Sequence, residues 1–251
     1  MYQFFVKPEQ INGTQAVITG SDVNHIVHVL RMKPGEEIAV NDGLHTWQCR
    51  IAEMDSEQVV AVVDGQAEGN ELPSKIYLFQ GLPKADKLEN IIQKSVELGV
   101  YEIVPVAMKR CVVRLDEKKQ EGKIKRWQAI AESAAKQAKR GLIPQIHSVM
   151  NYREALEYAS SVDVFLLPYE HAQGMAQTRK VLSSIRPGAS VAILIGPEGG
   201  FEEEEVSSAQ NRGAQVITLG RRILRTETAG PAVLAMLNYV LEADQQEDLT
   251  E

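Results

Sequence analysis

The alternation of apolar runs with helical periodicity from Lys75 onward constrains the fold of this chain most. The runs predict strands at 75–80, 101–106, 162–167, 190–195 and 215–219. The segments between them repeat apolar residues at helical spacing and predict helices at about 85–98, 120–139, 151–160, 174–184, 202–211 and 228–243. Because strands that alternate with helices build a mainly parallel sheet, we predict an α/β domain for this part of the chain.

The first 66 residues have a different pattern, of short segments in which polar and apolar residues alternate. We predict strands at 2–6, 15–19, 37–40, 46–54 and 58–63, separated by turn signals such as Asn12-Gly13 and Asp42-Gly43. One helix is predicted from Ser21 to Leu30, with Ser21 or Asp22 as its N-cap. A polar stretch with Gly and Pro, residues 67–74, predicts a linker. The domains expected are therefore a small β domain over 1–70 and an α/β domain over 71–251.

The charge of the chain is unevenly distributed. The net charge is −7, yet residues 109–140 carry 11 Lys and Arg against 4 Asp and Glu, whereas residues 1–74 carry 4 against 11. Phosphate contacts need only one basic face, so a nucleic-acid partner remains compatible with the acidic total.

Membrane and metal partners are not indicated. No apolar stretch is long enough to span a bilayer and the first residues lack the pattern of a signal peptide, so we expect a cytoplasmic protein. Cys49 and Cys111 lie far apart, and His25 and His28 have no third ligand at a suitable spacing. We therefore expect neither a disulfide framework nor a metal site.

Two loops near the C-terminus carry the strongest functional signal. The first loop (residues 195–206) reads IGPEGGFEEEEV, and the second loop (residues 219–231) reads LGRRILRTETAGP. Each follows a predicted strand and precedes a predicted helix, which is where α/β proteins bind ligands. The three glycines of the first loop suit close backbone approach to a ligand. The glutamates that follow disfavour a phosphate there, although acids also suit the first turn of a helix.

The second loop offers a different chemistry. Its three arginines surround Ile223 and Leu224, and apolar side chains beside open backbone amides suit an adenine ring. Arginine suits a base oxygen or a phosphate. Taken alone, this segment fits equally well a strand-to-helix turn with solvated arginines and Thr226 or Thr228 as N-cap.

These loops, together with residues 81–99 and 25–35, resemble the ribosomal RNA small-subunit methyltransferase E family of the SPOUT superfamily. The resemblance implies a SPOUT α/β domain with a deep trefoil knot at about 166–230, preceded by a PUA-like, RNA-binding β-barrel. It also implies S-adenosyl-L-methionine as cofactor, a homodimer, and methylation of N3 of uridine 1498 in 16S rRNA, with the assembled 30S subunit as acceptor.

The same resemblance implies roles for individual residues. Arg225 would be catalytic. Apart from the resemblance, Glu227 and Glu198 are both candidates for the general base, and the sequence does not choose between them. The cofactor would contact Leu167, Tyr169, Gly196, Glu198, Gly199, Gly200, Leu219, Gly220, Ile223 and Leu224. The RNA would contact Arg31, Lys84, Lys87, Lys94, Arg110 and Arg114, each of which could equally belong to a solvated face.

Two other functions fit the same sequence. The cofactor loops constrain the chemistry more than the substrate, so another knotted methyltransferase, acting on tRNA or on a ribose 2′-hydroxyl, remains compatible. A noncatalytic RNA-binding factor of ribosome assembly that retains the fold is the alternative from a different class.

Overall fold

The computed structural model describes residues 1–67, 69–172 and 174–247, and these form two compact units. The first unit comprises residues 1–71 and 135–143, and the second comprises residues 72–134 and the chain from 144 onward. The sequence places 135–143 in the second domain, so its membership of the first unit is unexpected. The end of the acidic tail, residues 248–251, lies outside the described residues.

The first unit is built on a five-stranded sheet. Its strands are β1 (Tyr2–Phe5), β2 (Gln15–Thr19), β3 (Glu37–Asn41), β4 (Thr46–Met54) and β5 (Gln58–Gln66), in the order β1-β3-β4-β5-β2. β1 pairs with β3 in parallel, and the other pairs are antiparallel. Alternate residues such as Ile18, Ile38 and Ile51 are fully buried, so the alternation in the sequence corresponds to one face packed on a core.

The predicted helix at Ser21–Leu30 is present but irregular. It consists of α1 (Ser21–Asn24) followed by a π-helical segment, His25–Leu30. Gly20, at a φ of 77°, is the N-cap and no side chain caps this end, so the prediction of Ser21 or Asp22 as N-cap is wrong. The segment ends at Arg31, which adopts a left-handed conformation and is exposed.

The carboxylate of Glu71 fixes residues 135–143 in the first unit. It accepts hydrogen bonds from the guanidinium group of Arg140, whose side chain is buried, and from the backbone N–H groups of Gly141 and Leu142. Hydrogen bonds to a charged group are stronger than those between neutral groups, so the Glu71 carboxylate holds this segment firmly. Sequence periodicity could not indicate it because the partners are about 70 positions apart.

The second unit contains a parallel sheet with the order β12-β10-β11-β6-β7-β8, in which β9 also pairs with β7. Its strands are β6 (Ile76–Gly81), β7 (Glu102–Ala107), β8 (Gln145–Ile146), β9 (Met150–Asn151), β10 (Val164–Pro168), β11 (Val191–Ile195) and β12 (Gln215–Ile217). Its helices are α2 (Lys87–Glu97), α3 (Glu117–Gln137, which ends in the first unit), α4 (Tyr152–Ala159), α5 (Met175–Leu182), α6 (Glu203–Asn211) and α7 (Thr226–Glu247). β11 is buried along its whole length, as expected for a central strand covered on both faces.

The end of the chain differs from the prediction in one respect. Helix α7 begins at Thr226, two residues before the predicted start at 228, so Pro231 is its sixth residue. Proline has no N–H to donate to the carbonyl group four residues earlier, which here belongs to Glu227. The helix nevertheless continues through this position.

The sheet order determines where the loops lie. β12, β10 and β11 are consecutive neighbours and all run parallel, so the segments that follow them emerge at one edge. These segments are the second loop, the turn at 168–170 and the first loop. Within the described ranges, no helix is long and apolar enough to cross a membrane.

Candidate functional site

A cavity of about 360 Å³ opens at this edge of the sheet. Its wall consists of the turn at 168–170, both loops, the start of α7, and Lys87 from α2. Its volume lies within the range typical of small-molecule sites.

Most residues predicted to bind a cofactor line this cavity. They are Tyr169, Gly196, Glu198, Gly200, Leu219, Gly220, Ile223 and Leu224, and the predicted catalytic residues Arg225 and Glu227 line it as well. Two predicted residues do not lie in the wall. Leu167 is fully buried within β10, and Gly199 lies against Arg110.

The first loop is tight because it packs against itself and against β6. A Cβ atom on Gly81 would lie 2.7 Å from both the ring Cδ and the backbone nitrogen of Pro197. A Cβ atom on Gly196 would lie 3.2 Å from the carbonyl carbon of Gly200. The N–H of Gly200 donates to the carbonyl oxygen of Pro197 at 2.9 Å, and Gly200 itself has a φ of 68°. These glycines are therefore required by backbone packing in the absence of any ligand.

Arg110 holds the outer side of the first loop. Its Nε and Nη2 donate to the two carboxylate oxygens of Glu202 at 2.9 and 3.2 Å, and its Nη1 donates to the carbonyl oxygen of Gly199 at 2.8 Å. The hydrogen bond to Glu202 raises the pKa of Arg110 and lowers that of Glu202. A Cβ atom on Gly199 would lie 3.0 Å from the Cβ of Arg110. Gly199 is thus a glycine that accommodates this arginine.

The glutamates at the start of α6 have structural partners. Glu202 and Glu205 form a capping box, in which the Glu202 N–H donates to Glu205 Oε2 at 2.9 Å. The other oxygen of Glu205 accepts from the N–H of Lys109 at 3.0 Å, and the ammonium group of Lys109 pairs with Glu204. The sequence predicts acids in the first turn of this helix, where they interact favourably with the helix dipole. The structure has them there, and they also contact the turn at 109–110.

Lys87 joins the two loops. Its ammonium nitrogen lies 3.2 Å from Glu198 Oε1 and 3.3 Å from Glu227 Oε2, and all three residues line the cavity. The hydrogen bond to Glu198, reinforced by Glu227, raises the pKa of Lys87. Partial burial acts to raise the pKa of Glu198, but hydrogen bonds from the Lys84 N–H and the Glu198 backbone, together with Lys87, outweigh it and leave the pKa below its usual value. Glu198 is therefore a carboxylate at neutral pH.

A buried hydrogen-bond chain that sequence reasoning missed holds the start of α7. The hydroxyl group of Thr226 donates to the carbonyl oxygen of Gly196 at 2.6 Å and accepts from Gln80 Nε2 at 2.9 Å. Gln80 is fully buried in β6 and also donates to the carbonyl oxygen of Gly81. The sequence signal of this hydrogen-bond chain was Gln80, a polar residue at the end of the predicted strand 75–80.

The second loop is anchored at its base and exposed at its tip. The Thr178 hydroxyl on α5 donates to the carbonyl oxygen of Thr218 and accepts from its N–H, both at 3.0 Å. Ile223, near the tip, is 80% exposed. The loop thus presents an uncovered apolar side chain at the cavity.

Besides the paired Lys87, three arginines of the second loop bring positive charge to the cavity. Arg221, Arg222 and Arg225 line the cavity and are exposed. Within the described part of the chain, their guanidinium groups have no hydrogen bond or ion pair. They are therefore available to an anionic ligand.

The other residues predicted to bind RNA lie outside the cavity wall. Arg31 is exposed in the first unit, and Lys84, Lys94 and Arg114 are exposed in the second. Lys94 pairs with Glu97 on the same helix. Nearby basic residues also form surface pairs, among them Lys123–Asp86, Lys125–Glu121 and Arg126–Glu89. Because exposed pairs contribute only about 0–1 kcal/mol, they leave these cations available to phosphates.

The histidines and acids of the described residues form no cluster of three that could hold a metal ion. His25 and His28 are both exposed.

Comparison with known proteins defines the class of this fold and site. Residues 70–238 match the family model described as an RNA methyltransferase domain, and residues 18–64 match the RNA methyltransferase PUA domain. The protein is thus an RNA methyltransferase by its fold, with an α/β catalytic domain and a PUA domain.

Individual relatives define the family. The chain is 38% identical over 231 residues to the ribosomal RNA small subunit methyltransferase E of Bacillus subtilis, covering 90% of each chain. It is 35% identical to that of Mesomycoplasma hyopneumoniae, covering 91% of this chain and 95% of the relative. A crystal structure of the Neisseria gonorrhoeae enzyme bound to S-adenosylmethionine is 32% identical, with a TM-score of 0.81 over 96% of this chain and 98% of that one. The chain belongs to the ribosomal RNA small subunit methyltransferase E family.

Proposed function

We propose that this protein transfers a methyl group from S-adenosylmethionine to N3 of uridine 1498 in 16S rRNA, acting in the cytoplasm on the assembled 30S subunit. The observation that carries the proposal is one cavity that contains both a carboxylate-bearing glycine loop and three unpaired guanidinium groups. A site of that kind suits a cationic cofactor and an anionic acceptor together. The names of the relatives support ribosomal RNA as the substrate.

The cavity residues fit S-adenosylmethionine. This cofactor supplies a transferable methyl group on a cationic sulfonium and carries no phosphate. The carboxylate of Glu198 and the backbone of Gly196 and Gly200 suit its charged part, and the apolar Ile223 and Leu224 suit its adenine ring. Tyr169, Leu219 and Gly220 complete the proposed cofactor wall.

Arg225 is the proposed catalytic cation. Uracil N3 holds its proton at neutral pH, and loss of that proton places negative charge on the neighbouring oxygens of the ring. A guanidinium group with free N–H donors stabilises such charge as it develops. The Arg225 guanidinium lines the cavity and has no partner among the described residues.

Glu227 is the proposed general base. The carboxylate of Glu198 is already engaged by the Lys84 N–H and by Lys87, and its lowered pKa makes it a poor base. Glu227 accepts one hydrogen bond, at Oε2 from Lys87. In the proposed step, N3 forms its bond to the methyl carbon as the carbon–sulfur bond breaks. The N3 proton passes to Glu227, and the sulfur keeps the electron pair as a neutral thioether.

The proposal extends to RNA binding and to the fold. Arg31, Lys84, Lys94 and Arg114 would contact RNA phosphates, and the first unit would be a PUA-like barrel. We also propose a SPOUT trefoil knot at about 166–230. The hydrogen bond from Thr226 to Gly196 supports it, since it ties the start of α7 to the first loop.

A homodimer is part of the same proposal. Tyr239 on α7 is 80% exposed, so it is a side chain that the second copy would cover in the proposed dimer. We expect sedimentation to give a dimer, and Tyr239→Asp to weaken it. A stable wild-type monomer with full activity would refute this part.

The decisive experiment supplies labelled S-adenosylmethionine with intact 30S subunits, deproteinised 16S rRNA or tRNA, followed by nucleoside analysis. We expect 3-methyluridine in the 30S sample. A 2′-O-methyl product, or label in tRNA, would refute the substrate assignment, and no label in any RNA would favour a noncatalytic assembly factor.

A variant separates catalysis from binding. Arg225→Ala is expected to keep cofactor affinity and to lose on the order of 100-fold to 1000-fold in kcat, as when one donor to a developing anion is removed. Lys180→Ala, at an exposed position on α5 outside the cavity wall, is the matched control. Unchanged turnover of Arg225→Ala would remove Arg225 from the reaction.

A further inference from the structure

We propose that Lys87 is a positioning residue that fixes the Glu227 carboxylate in the cavity by bridging it to Glu198, and that it is not a phosphate ligand. The inference rests on the proposed function and deepens it. It assigns to Lys87 a role different from the RNA contact that the sequence resemblance implies.

The geometry gives Lys87 two fixed partners from different loops. Glu198 belongs to the first loop and Glu227 to the first turn of α7, which follows the second loop. Each carboxylate has one oxygen within 3.3 Å of the same ammonium nitrogen. Those two oxygens are therefore at most about 6.5 Å apart, the two contact distances laid end to end.

Glu198 provides a rigid end to this bridge. Its Oε1 accepts from the Lys84 N–H at 3.0 Å as well as from Lys87, so its carboxylate is held at the turn before α2. Lys87 is the first residue of α2, a helix whose inner face is fully buried. Glu227 is thus connected, through one ammonium group, to a helix and a loop that are both well packed.

Lys87 is less accessible to RNA than the neighbouring cations. Its side chain is 32% exposed, whereas that of Lys94 is 51% exposed and pairs only with a residue of its own helix. A phosphate that took the ammonium group of Lys87 would leave two cavity carboxylates facing each other without a cation between them. Like charges at this separation disfavour each other, so this exchange is unfavourable.

The charges around this bridge come from several elements. Besides Glu198 and Glu227, the cavity contains Glu170 after β10 and the three arginines of the second loop. Replacing Lys87 therefore removes the positive charge that lies between Glu198 and Glu227, while the three arginines remain in place.

The test compares Lys87→Gln and Lys87→Arg with Lys84→Gln, a neighbouring exposed lysine. For Lys87→Gln we expect kcat to fall about 10-fold to 100-fold, by analogy with a misplaced catalytic group. We expect its KM for 30S subunits to stay within about twofold, and the dependence of RNA affinity on salt to keep its slope. Lys87→Arg, which keeps the charge, is expected to recover part of kcat.

Lys84→Gln is expected to behave in the opposite way. Its effect should appear in RNA affinity, where the slope of log affinity against log salt should fall by roughly 0.7–0.9, the loss of one phosphate contact. If Lys87→Gln shows this pattern and a wild-type kcat, Lys87 is a phosphate ligand and the inference is wrong.

A measurement that needs no activity completes the test. Carboxyl carbon NMR should show the pKa of Glu198 rising in Lys87→Gln, with circular dichroism confirming that the variant is folded. If the wild-type protein methylates no RNA, the proposed function fails, yet an unchanged pKa of Glu198 would still overturn the bridge. If Lys87→Gln does not fold, Lys87→Arg decides: a wild-type pKa of Glu198 with a partial kcat supports the bridge, and a changed pKa of Glu198 with a wild-type kcat refutes it.

Discussion

Gly81→Ala tests whether the contact between β6 and the first loop sets the shape of the cavity. The new Cβ atom would lie 2.7 Å from two atoms of Pro197 and 3.0 Å from the carbonyl carbon of Gly196. Ordinary contact begins at 3.4 Å, so the loop must move by about 0.7 Å. Two of these three atoms belong to the backbone, which cannot swing aside as a side chain can.

The expected cost follows from that displacement. Overpacking a filled site costs about 1–3 kcal/mol. For a protein of this size that corresponds to a fall in Tm of roughly 2–12 °C. Because Gly196 and Glu198 lie in the displaced loop, we also expect cofactor affinity and kcat/KM to fall on the order of 10-fold or more.

The assay is a thermal melt combined with calorimetric titration of S-adenosylmethionine. Gly65→Ala is the matched control, since Gly65 is also a strand glycine and its added Cβ would meet nothing within 4 Å. A Gly81→Ala protein with the melting temperature and cofactor affinity of Gly65→Ala would refute the reasoning. It would show that the first loop moves without cost.

Three further predictions concern the groups that hold the loops. Thr226→Val removes a buried hydroxyl and leaves the Gly196 carbonyl and the Gln80 amide short of a partner, so we expect about 1–3 kcal/mol lower unfolding free energy in urea. Thr226→Ser keeps the hydroxyl group and should retain most of the wild-type unfolding free energy. Equal urea midpoints for the Val and Ser variants would contradict the hydrogen-bond chain. Gly199→Ala should weaken cofactor binding in the wild-type protein and have little effect in Arg110→Gly, because the added Cβ lies 3.0 Å from the Arg110 Cβ, which only glycine removes; additive effects in calorimetry would contradict this. The Lys87–Glu198 pair should stabilise the fold across neutral pH. The contribution of Glu198, whose pKa is lowered, is present above its ordinary value of 4.5 and lost as pH falls through the lowered pKa; that of Lys87, whose pKa is raised, is present below 10.5 and lost as pH rises through the raised pKa. The difference in Tm between wild type and Lys87→Gln should therefore be constant between those limits, and a difference that disappears at pH 7 would contradict the pair.

Periodicity predicted the longer elements of the fold well. The ten predicted strands and the helices of the second unit all have counterparts, because each element has enough residues to repeat its pattern. β8 and β9 were missed since two residues cannot show a period. The π-helical turn at His25–Leu30 was also missed, because it depends on packing and has no distinct sequence pattern.

The sequence predicted where the candidate site lies better than it predicted which residues contact each other there. Strand-end glycines and arginines indicated both loops, and the sheet order brings them to one edge. What could not be predicted is which cation faces which carboxylate. Lys87 and Arg110 were assigned to RNA by resemblance, whereas the structure pairs both with the first loop, 89 or more positions away in the chain. Only the fold brings such distant partners together.

The distribution of charge around the two loops follows from the capping of α6. A helix N-terminus with free N–H groups is a favourable phosphate site. Here the Glu205 carboxylate accepts from the Glu202 N–H, and Glu202 places a second carboxylate beside this terminus, so the start of α6 disfavours an anion. Positive charge without a partner is found in the cavity at Arg221, Arg222 and Arg225, among the residues described. In the proposed function, an anionic substrate would therefore bind at the second loop, and the first loop, with Glu198 ionised, would hold the cationic cofactor. Removing the capping carboxylates, as in Glu202→Ala with Glu205→Ala, should therefore let the first loop bind inorganic phosphate, which the wild-type protein should not bind there.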